Sequence, residues 1–187
     1  DLAPETSKGW ELGYTTQLHD GQILFDATYF RNDFENLIVW NPSLSVLDNV
    51  GLAQSSGVEL TLDWQLNDRT TVNANYTLTN TVNRETGSEL LRRPKHRSMI
   101  NLEHMLEDDR TLLGLTLAYT GSRLDNPGGI TTELSHYMLL NLYATRQLNE
   151  HWSAVFRINN LTDEDYEELF GYGTPGATFY GGLSLTR

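Results

Sequence analysis

In the stretch Val58-Glu59-Leu60-Thr61-Leu62-Asp63-Trp64-Gln65-Leu66, every even position is apolar and every odd position polar. A period of two belongs to extended chain, in which successive side chains leave opposite faces, and it cannot build a one-sided helix. The pattern recurs in Trp10, Leu12 and Tyr14 and in Val72, Ala74, Tyr76 and Leu78. It returns in Leu113, Leu115, Leu117 and Tyr119, in Trp152, Ala154, Phe156 and Ile158, and in Phe179, Gly181, Leu183 and Leu185. Nine strands are predicted, at about 8–18, 22–38, 55–66, 70–81, 96–106, 111–121, 136–147, 152–161 and 177–187. Each has about ten residues or more, the length a tilted strand needs to cross a bilayer. The nearest thing to a helix, Asp163 to Phe170, is short and acidic.

The connections sort into two kinds. His19-Asp20-Gly21-Gln22, Asn67-Asp68-Arg69, Glu107-Asp108-Asp109-Arg110 and Asn149-Glu150-His151 are short, and the first carries the Asp-Gly pair that hairpins favour. The links at about 39–54, 82–95, 122–135 and 162–176 are long. Strict alternation of short and long links is the pattern of outer-membrane barrels, with tight turns on the periplasmic side and large loops outside. An odd count of up-and-down strands leaves the first and last running the same way. Single-chain bacterial barrels have even counts, so strands are expected on the N-terminal side of this piece. The expected fold is all-β: an antiparallel up-and-down transmembrane β-barrel segment, comprising about nine C-terminal strands of a larger barrel.

Composition fits. No apolar run reaches the roughly 20 residues of a spanning helix. The mean hydropathy of −0.43 would suggest a soluble chain, but a barrel dilutes its apolar signal by half because only alternate residues meet lipid. A net charge of −12 argues against nucleic-acid binding. With no cysteine there is no disulfide framework and no thiolate metal site. The start, Asp1-Leu2-Ala3-Pro4, has none of the features of a signal peptide, so a processed chain or a fragment is expected. Trp10, Tyr29, Trp40, Trp64, Tyr119, Tyr137, Trp152 and Phe179 lie near strand ends, where interfacial girdles place aromatic rings.

Enzyme signatures are missing. His19, His96, His104, His136 and His151 form no HxxxH or HExxH spacing, and GxSxG, Walker A and GxGxxG do not occur. Ser98 and His96 share a strand face, but nothing else marks them as a catalytic pair. No cofactor and no metal site is expected. The acids Asp163, Glu164, Asp165, Glu167 and Glu168 match no EF-hand loop, and a solvated or lipopolysaccharide-bridging loop is the plainer reading, with calcium as the alternative. His104 falls in the lipid-facing phase, where a polar ring must sit near an interface. A passive porin and a soluble β-sandwich or adhesin remain as rivals; the sandwich fits poorly, because its outward face should be polar.

Several segments resemble, in order, the C-terminal strands of TonB-dependent outer-membrane receptors. They are PETSKGWELGY at 4–14, YFRNDFENLI at 29–38, SSGVELTLDWQL at 55–66, LLRRPKHR at 90–97 and INNLTDEDYEE at 158–168. The last, similar to the family's "NL.D..Y", is the most diagnostic. Within the family, LLRR at 90–93, GSRLD at 121–125 and YEELFGYGTPGATFYGG at 166–182 resemble the cobalamin (vitamin B12) transporters. Two departures stand out: Arg187 holds the phase of the family's terminal aromatic residue, and Thr162 replaces a phenylalanine.

The resemblance implies a plugged barrel of 22 strands, with residues 1–187 its C-terminal part and the plug and TonB box N-terminal of it. It implies active import across the Gram-negative outer membrane, driven by the TonB-ExbB-ExbD complex. Expected partners are outer-membrane lipid, lipopolysaccharide, the barrel-assembly machinery and a bulky cargo. Cobalamin or a related corrinoid is the first expectation for that cargo, and a ferric siderophore the second. The ligand-binding candidates are Arg92 and Arg93, which precede a strand and so stand at the outer mouth, with Arg123, Tyr172 and Thr174 beside them in loops. Guanidinium suits phosphate, carboxylate or amide recognition. The alternatives are ion pairs with luminal Glu59 or Asp63 or with lipopolysaccharide phosphates for the first two, and plain loop packing for the others.

Overall fold

The computed structural model describes residues 2–41, 44 and 46–186. Arg187 lies outside the described residues. Among the described residues thirteen strands occur in order: β1 (Thr6–Leu18), β2 (Ile23–Asn41), β3 (Val46–Asn67), β4 (Thr70–Asn83), β5 (His96–Met105), β6 (Thr111–Thr120), β7 (Arg123–Asp125), β8 (Thr132–Leu134), β9 (Tyr137–Gln147), β10 (Trp152–Asn159), β11 (Glu167–Leu169), β12 (Tyr172–Gly173) and β13 (Thr178–Leu185). Nine form one antiparallel sheet in the order β1-β2-β3-β4-β5-β6-β9-β10-β13. These match the nine predicted strands. The four short ones lie within two of the long loops, as the pairs β7–β8 and β11–β12.

Register carries the alternation across the sheet. One row runs through Leu62, Ala74, Ile100, Leu117 and Leu140, each the Cα partner of the next. A second runs Trp64, Val72, Leu102, Leu115, Leu142, Ile158 and Phe179. The opposite face carries Asp63, Asn73, Asn101, Thr116 and Asn141 in register. A one-residue slip in any strand would put this polar row into lipid, so the pattern fixes the pairing. The core of a soluble sandwich is missing: among the described residues only Ala53, Leu134 and Tyr137 are buried hydrophobics. Leu12, Ile100, Phe156 and Leu183 stay exposed on the apolar face.

The short turns are fastened locally. His19, Asp20 and Gly21 all take positive φ, and the Gln22 amide closes the turn on the His19 carbonyl at 3.0 Å. The ion pair Arg69–Asp109 at 2.5 Å joins two of these turns, and Arg146–Asp108 at 3.0 Å joins β9 to a turn. Backbone amides of Arg110 and Thr111 and the Thr111 hydroxyl hold the Asp108 carboxyl below the usual carboxylate range. His104 also lies at this end, where its Nδ1 meets the Thr70 hydroxyl at 2.9 Å, which relieves the cost of a polar ring on the lipid face.

Two expectations need correction. The link predicted over 39–54 is largely strand: β2 and β3 stay paired out to Asn41 and Val46. Polar residues there obscured the period, but a hairpin standing clear of the bilayer has no lipid face to satisfy. Tyr137 does not belong to the girdle. It lies in the phase of Asn141, is 7% exposed, and packs its ring 4.3 Å from that of Tyr166. Nor does Trp40, which pairs with Leu47 in the phase of Leu24 and Asp63, on the part of β2 that stands clear of the bilayer. Trp10 and Tyr29, with centroids 5.3 Å apart, do form an exposed aromatic pair on the apolar face.

Candidate functional site

Three long connections meet at one carboxylate. Asp125, at the end of β7, is 1% exposed. Its Oδ1 accepts from Arg92 Nε at 2.7 Å and from the Asn126 amide at 2.8 Å, and its Oδ2 accepts from the Phe170 amide at 3.0 Å. Segments 84–95, 121–136 and 160–177 thus share a single node. Burial pushes the Asp125 carboxyl up, but the Phe170 amide, Arg92 and the Asn126 amide outweigh it and hold the group below the usual carboxylate range. Arg92 also adopts φ +58, a left-handed conformation that costs an ordinary residue about 1–2 kcal/mol. Its own amide bonds the Leu124 carbonyl at 2.7 Å, which offsets that strain.

The predicted residues divide. Arg92 joins neither Glu59 nor Asp63. Its Nε is engaged by Asp125 while the side chain stays half exposed. Arg93 is exposed, with Nη1 donating to the Arg92 carbonyl at 3.3 Å. Both line a cleft of about 340 Å³ whose walls include Leu37, Trp40, Leu90 and Leu91. Two guanidinium groups over an apolar wall can hold an anion that also carries a flat or aliphatic group.

Arg123 is 7% exposed and packed into the loops. Its Nη2 donates to the Glu167 carbonyl, and its guanidinium carbon lies 5.5 Å from the Tyr137 ring centroid. Thr174 donates its hydroxyl to the Tyr166 carbonyl at 2.7 Å. Tyr172, on the β11–β12 hairpin, is 71% exposed. The structure therefore brings Arg92 and Arg93 to one cleft, makes Arg123 and Thr174 loop braces, and leaves Tyr172 at the surface. The acids of 163–168 do not converge, and no His, Asp or Glu group suited to a metal ion occurs among the described residues.

Sequence reading missed Asp125 and the role of Asn160. Asn160 has φ +50 and is 5% exposed. Its Oδ1 accepts from the Glu164 amide at 2.9 Å, and its Nδ2 donates to the Glu164 carbonyl at 2.9 Å and the Pro175 carbonyl at 3.4 Å. Asp163 then accepts from the Ala177 amide at 2.8 Å. The segment INNLTDEDYEE is a fastening for the last loop, and its fixed spacing of Asn, Asp and Tyr was the available signal. For Asp125, the signal was an acid placed just before the turn Asn126-Pro127-Gly128-Gly129.

A family model described as "TonB dependent receptor-like, beta-barrel" matches residues 1–161. The chain belongs to the TonB-dependent receptor family. It is an outer-membrane protein, and its nine-stranded sheet is part of a TonB-dependent receptor barrel. A mutant of the ferric enterobactin receptor from Pseudomonas aeruginosa is 26% identical over 97% of this chain and 31% of its own, with a TM-score of 0.79. The ferric-catecholate import receptor Fiu from E. coli K12 is 21% identical, covering 98% of this chain and 28% of its own, with a TM-score of 0.78. The copper transporter OprC is 16% identical, covering 98% and 31%, with a TM-score of 0.81. The chain spans 28–31% of the length of these solved receptors. The last two likenesses establish the fold alone.

Proposed function

We propose that this chain is the C-terminal part of a 22-stranded TonB-dependent transporter that imports a ferric siderophore. The observation that carries the reading is the 26% identity to a ferric enterobactin receptor across 97% of the chain. The chemistry of the outer end agrees with it. Ferric siderophore chelates are commonly anionic, and the cleft of Arg92 and Arg93 offers two cations beside Trp40. Cobalamin, the first expectation from sequence, rests on loop segments that the comparisons leave without support. In this reading Arg92, Arg93 and Tyr172 contact cargo, while Arg123 and Thr174 hold the loops in place. The plug, the TonB box and the TonB-ExbB-ExbD complex supply release.

The deciding experiment is a titration of the full-length receptor with ferric enterobactin and, separately, with cyanocobalamin, followed by tryptophan fluorescence. Saturable quenching by the iron chelate and none by the corrinoid is the expected result. Saturation by cyanocobalamin alone would overturn the proposal.

A further inference from the structure

Arg92 and Arg123 sit in neighbouring loops and are held in opposite ways. Arg123 is 7% exposed, and its guanidinium is committed to the Glu167 carbonyl and the Tyr137 ring. Arg92 is half exposed, yet it is fixed at both ends. Its backbone amide donates to the Leu124 carbonyl at 2.7 Å, and its Nε donates to Asp125 Oδ1 at 2.7 Å. The two acceptors are consecutive residues of β7. The backbone at Arg92 stands at φ +58, a conformation that persists only where the surroundings over-determine it.

A guanidinium can grip a pair of oxygens by either of two edges. The side edge carries Nε and one Nη, and the end edge carries both Nη atoms. Asp125 takes Nε, and no hydrogen bond reaches Nη1 or Nη2 among the described residues. The end edge is therefore the one left for a ligand in the cleft that Arg92 lines. Asp125 cannot swing to follow Arg92. The Asn126 and Phe170 amides hold its two oxygens at 2.8 and 3.0 Å. Its strand is pinned in turn by pairing with β8, where Leu134 is buried. Arg93 has no such support: among the described residues its guanidinium reaches only the Arg92 carbonyl. A long side chain that is ordered beforehand does not have to be ordered by the ligand. The Asp125 charge also cancels one of the two positive charges at the cleft, so simple attraction of anions does not account for an acid there. A fixed fork for an anion of one shape does.

We propose that Asp125 is a positioning residue for cargo recognition: it presets Arg92 so that the Nη1–Nη2 edge is free and oriented before an anionic ligand arrives. Arg92 is then the rigid anchor of the cleft, and Arg93 is the adaptable second cation that closes on the bound anion. Asp125 is buried and touches no cargo itself. The inference rests on the reading that Arg92 contacts cargo, and it adds the residue that gives that contact its geometry.

The test is a double-mutant cycle on the full-length receptor, titrated with ferric enterobactin. The loss of affinity caused by Asp125→Ala should be about three- to tenfold larger when Arg92 is present than in an Arg92→Ala background, the cost of ordering one long side chain during binding. An equal loss in both backgrounds would show that the acid acts only by bracing the loops, and it would overturn the inference. Asp125→Asn removes the same charge but keeps an acceptor oxygen, so it should recover part of the affinity; no recovery would count against orientation as the cause. Unchanged affinity in Arg92→Ala alone would instead refute the reading that Arg92 contacts cargo. A crystal structure of the cargo-free Asp125→Ala receptor gives a readout that needs no ligand. Arg92 should lose its single side-chain position there, and an ordered, unmoved Arg92 would overturn the inference whatever the receptor transports.

Discussion

Replacing Asp125 by alanine removes the node that joins three loops, and the cost can be worked from its contacts. The carboxylate is 2% exposed and accepts hydrogen bonds from the Asn126 amide, the Phe170 amide and Arg92 Nε. Alanine strands the two amides, and an unmade buried hydrogen bond costs about 1–3 kcal/mol each. The Arg92 pair adds about 1 kcal/mol or less, because that side chain is half exposed and regains water. Loops that open also rehydrate, which trims the total to about 2–4 kcal/mol of local stability. That corresponds to roughly 30- to 700-fold faster amide exchange at tenfold per 1.4 kcal/mol. Hydrogen–deuterium exchange on the full-length receptor reads it directly, in peptides covering 121–128 and 165–172, with a β6 peptide as control. Asp125→Asn, which keeps an acceptor oxygen, should show a smaller rise. Unchanged loop peptides would refute the node, and equal deprotection of β6 would show a global effect instead.

The same residue sets a pH window. Its carboxyl titrates lower in the folded loops than in an unfolded chain. The stabilisation is therefore fully present above the ordinary carboxylate value of about 3.9 and is lost as pH falls through the lower folded value. The protection of the loop amides, after correction for the base-catalysed intrinsic rate, should not change between pH 5 and 8 on this account, and a transition there would contradict it. Leu62→Arg should block stable insertion at a cost of about 2–4 kcal/mol near the midplane, whereas Asp63→Asn, on the polar face, should leave assembly intact in a heat-modifiability gel; equal harm from both would reverse the inside–outside assignment. Arg92→Ala should weaken cargo binding without lowering barrel yield, and unchanged affinity by titration would remove Arg92 from the site. Gly57→Ala should destabilise the barrel by about 1–3 kcal/mol, since an added Cβ would sit 1.9 Å from the Leu78 carbonyl oxygen; an unaltered denaturation midpoint would argue against that close approach.

Much of the fold was legible because lipid enforces a strict rule. From Val58 to Leu66 the alternation had no exception, and the register then carried it through Leu78, Ile100 and Leu117. Where that rule lapses, so did the reading. The ends of β2 and β3 stand clear of hydrocarbon, so Asn41 and Asp48 could be polar and paired at once. Tyr137 looked like a girdle residue because an aromatic ring near a strand end reads the same on either face. The site was less legible still. Arg92 and Arg93 were found from charge and position, but the partner that organises Arg92 is 33 residues away in sequence and belongs to another loop. Backbone acceptors such as the Glu167 and Tyr166 carbonyls leave no mark in sequence, so nothing there indicated that Arg123 and Thr174 are braces.

The hairpin of β2 and β3 has a further consequence. Its pairing runs without a shift from Ile23 opposite Trp64 to Asn41 opposite Val46. Residues added or removed at the tip, one on each arm, leave every pair below untouched. Each such step alters the height of the hairpin by about 3.3 Å along the strand. Receptors of this build can therefore change how far they reach into the medium in small, evenly spaced increments, while the wall that seals the membrane stays as it was.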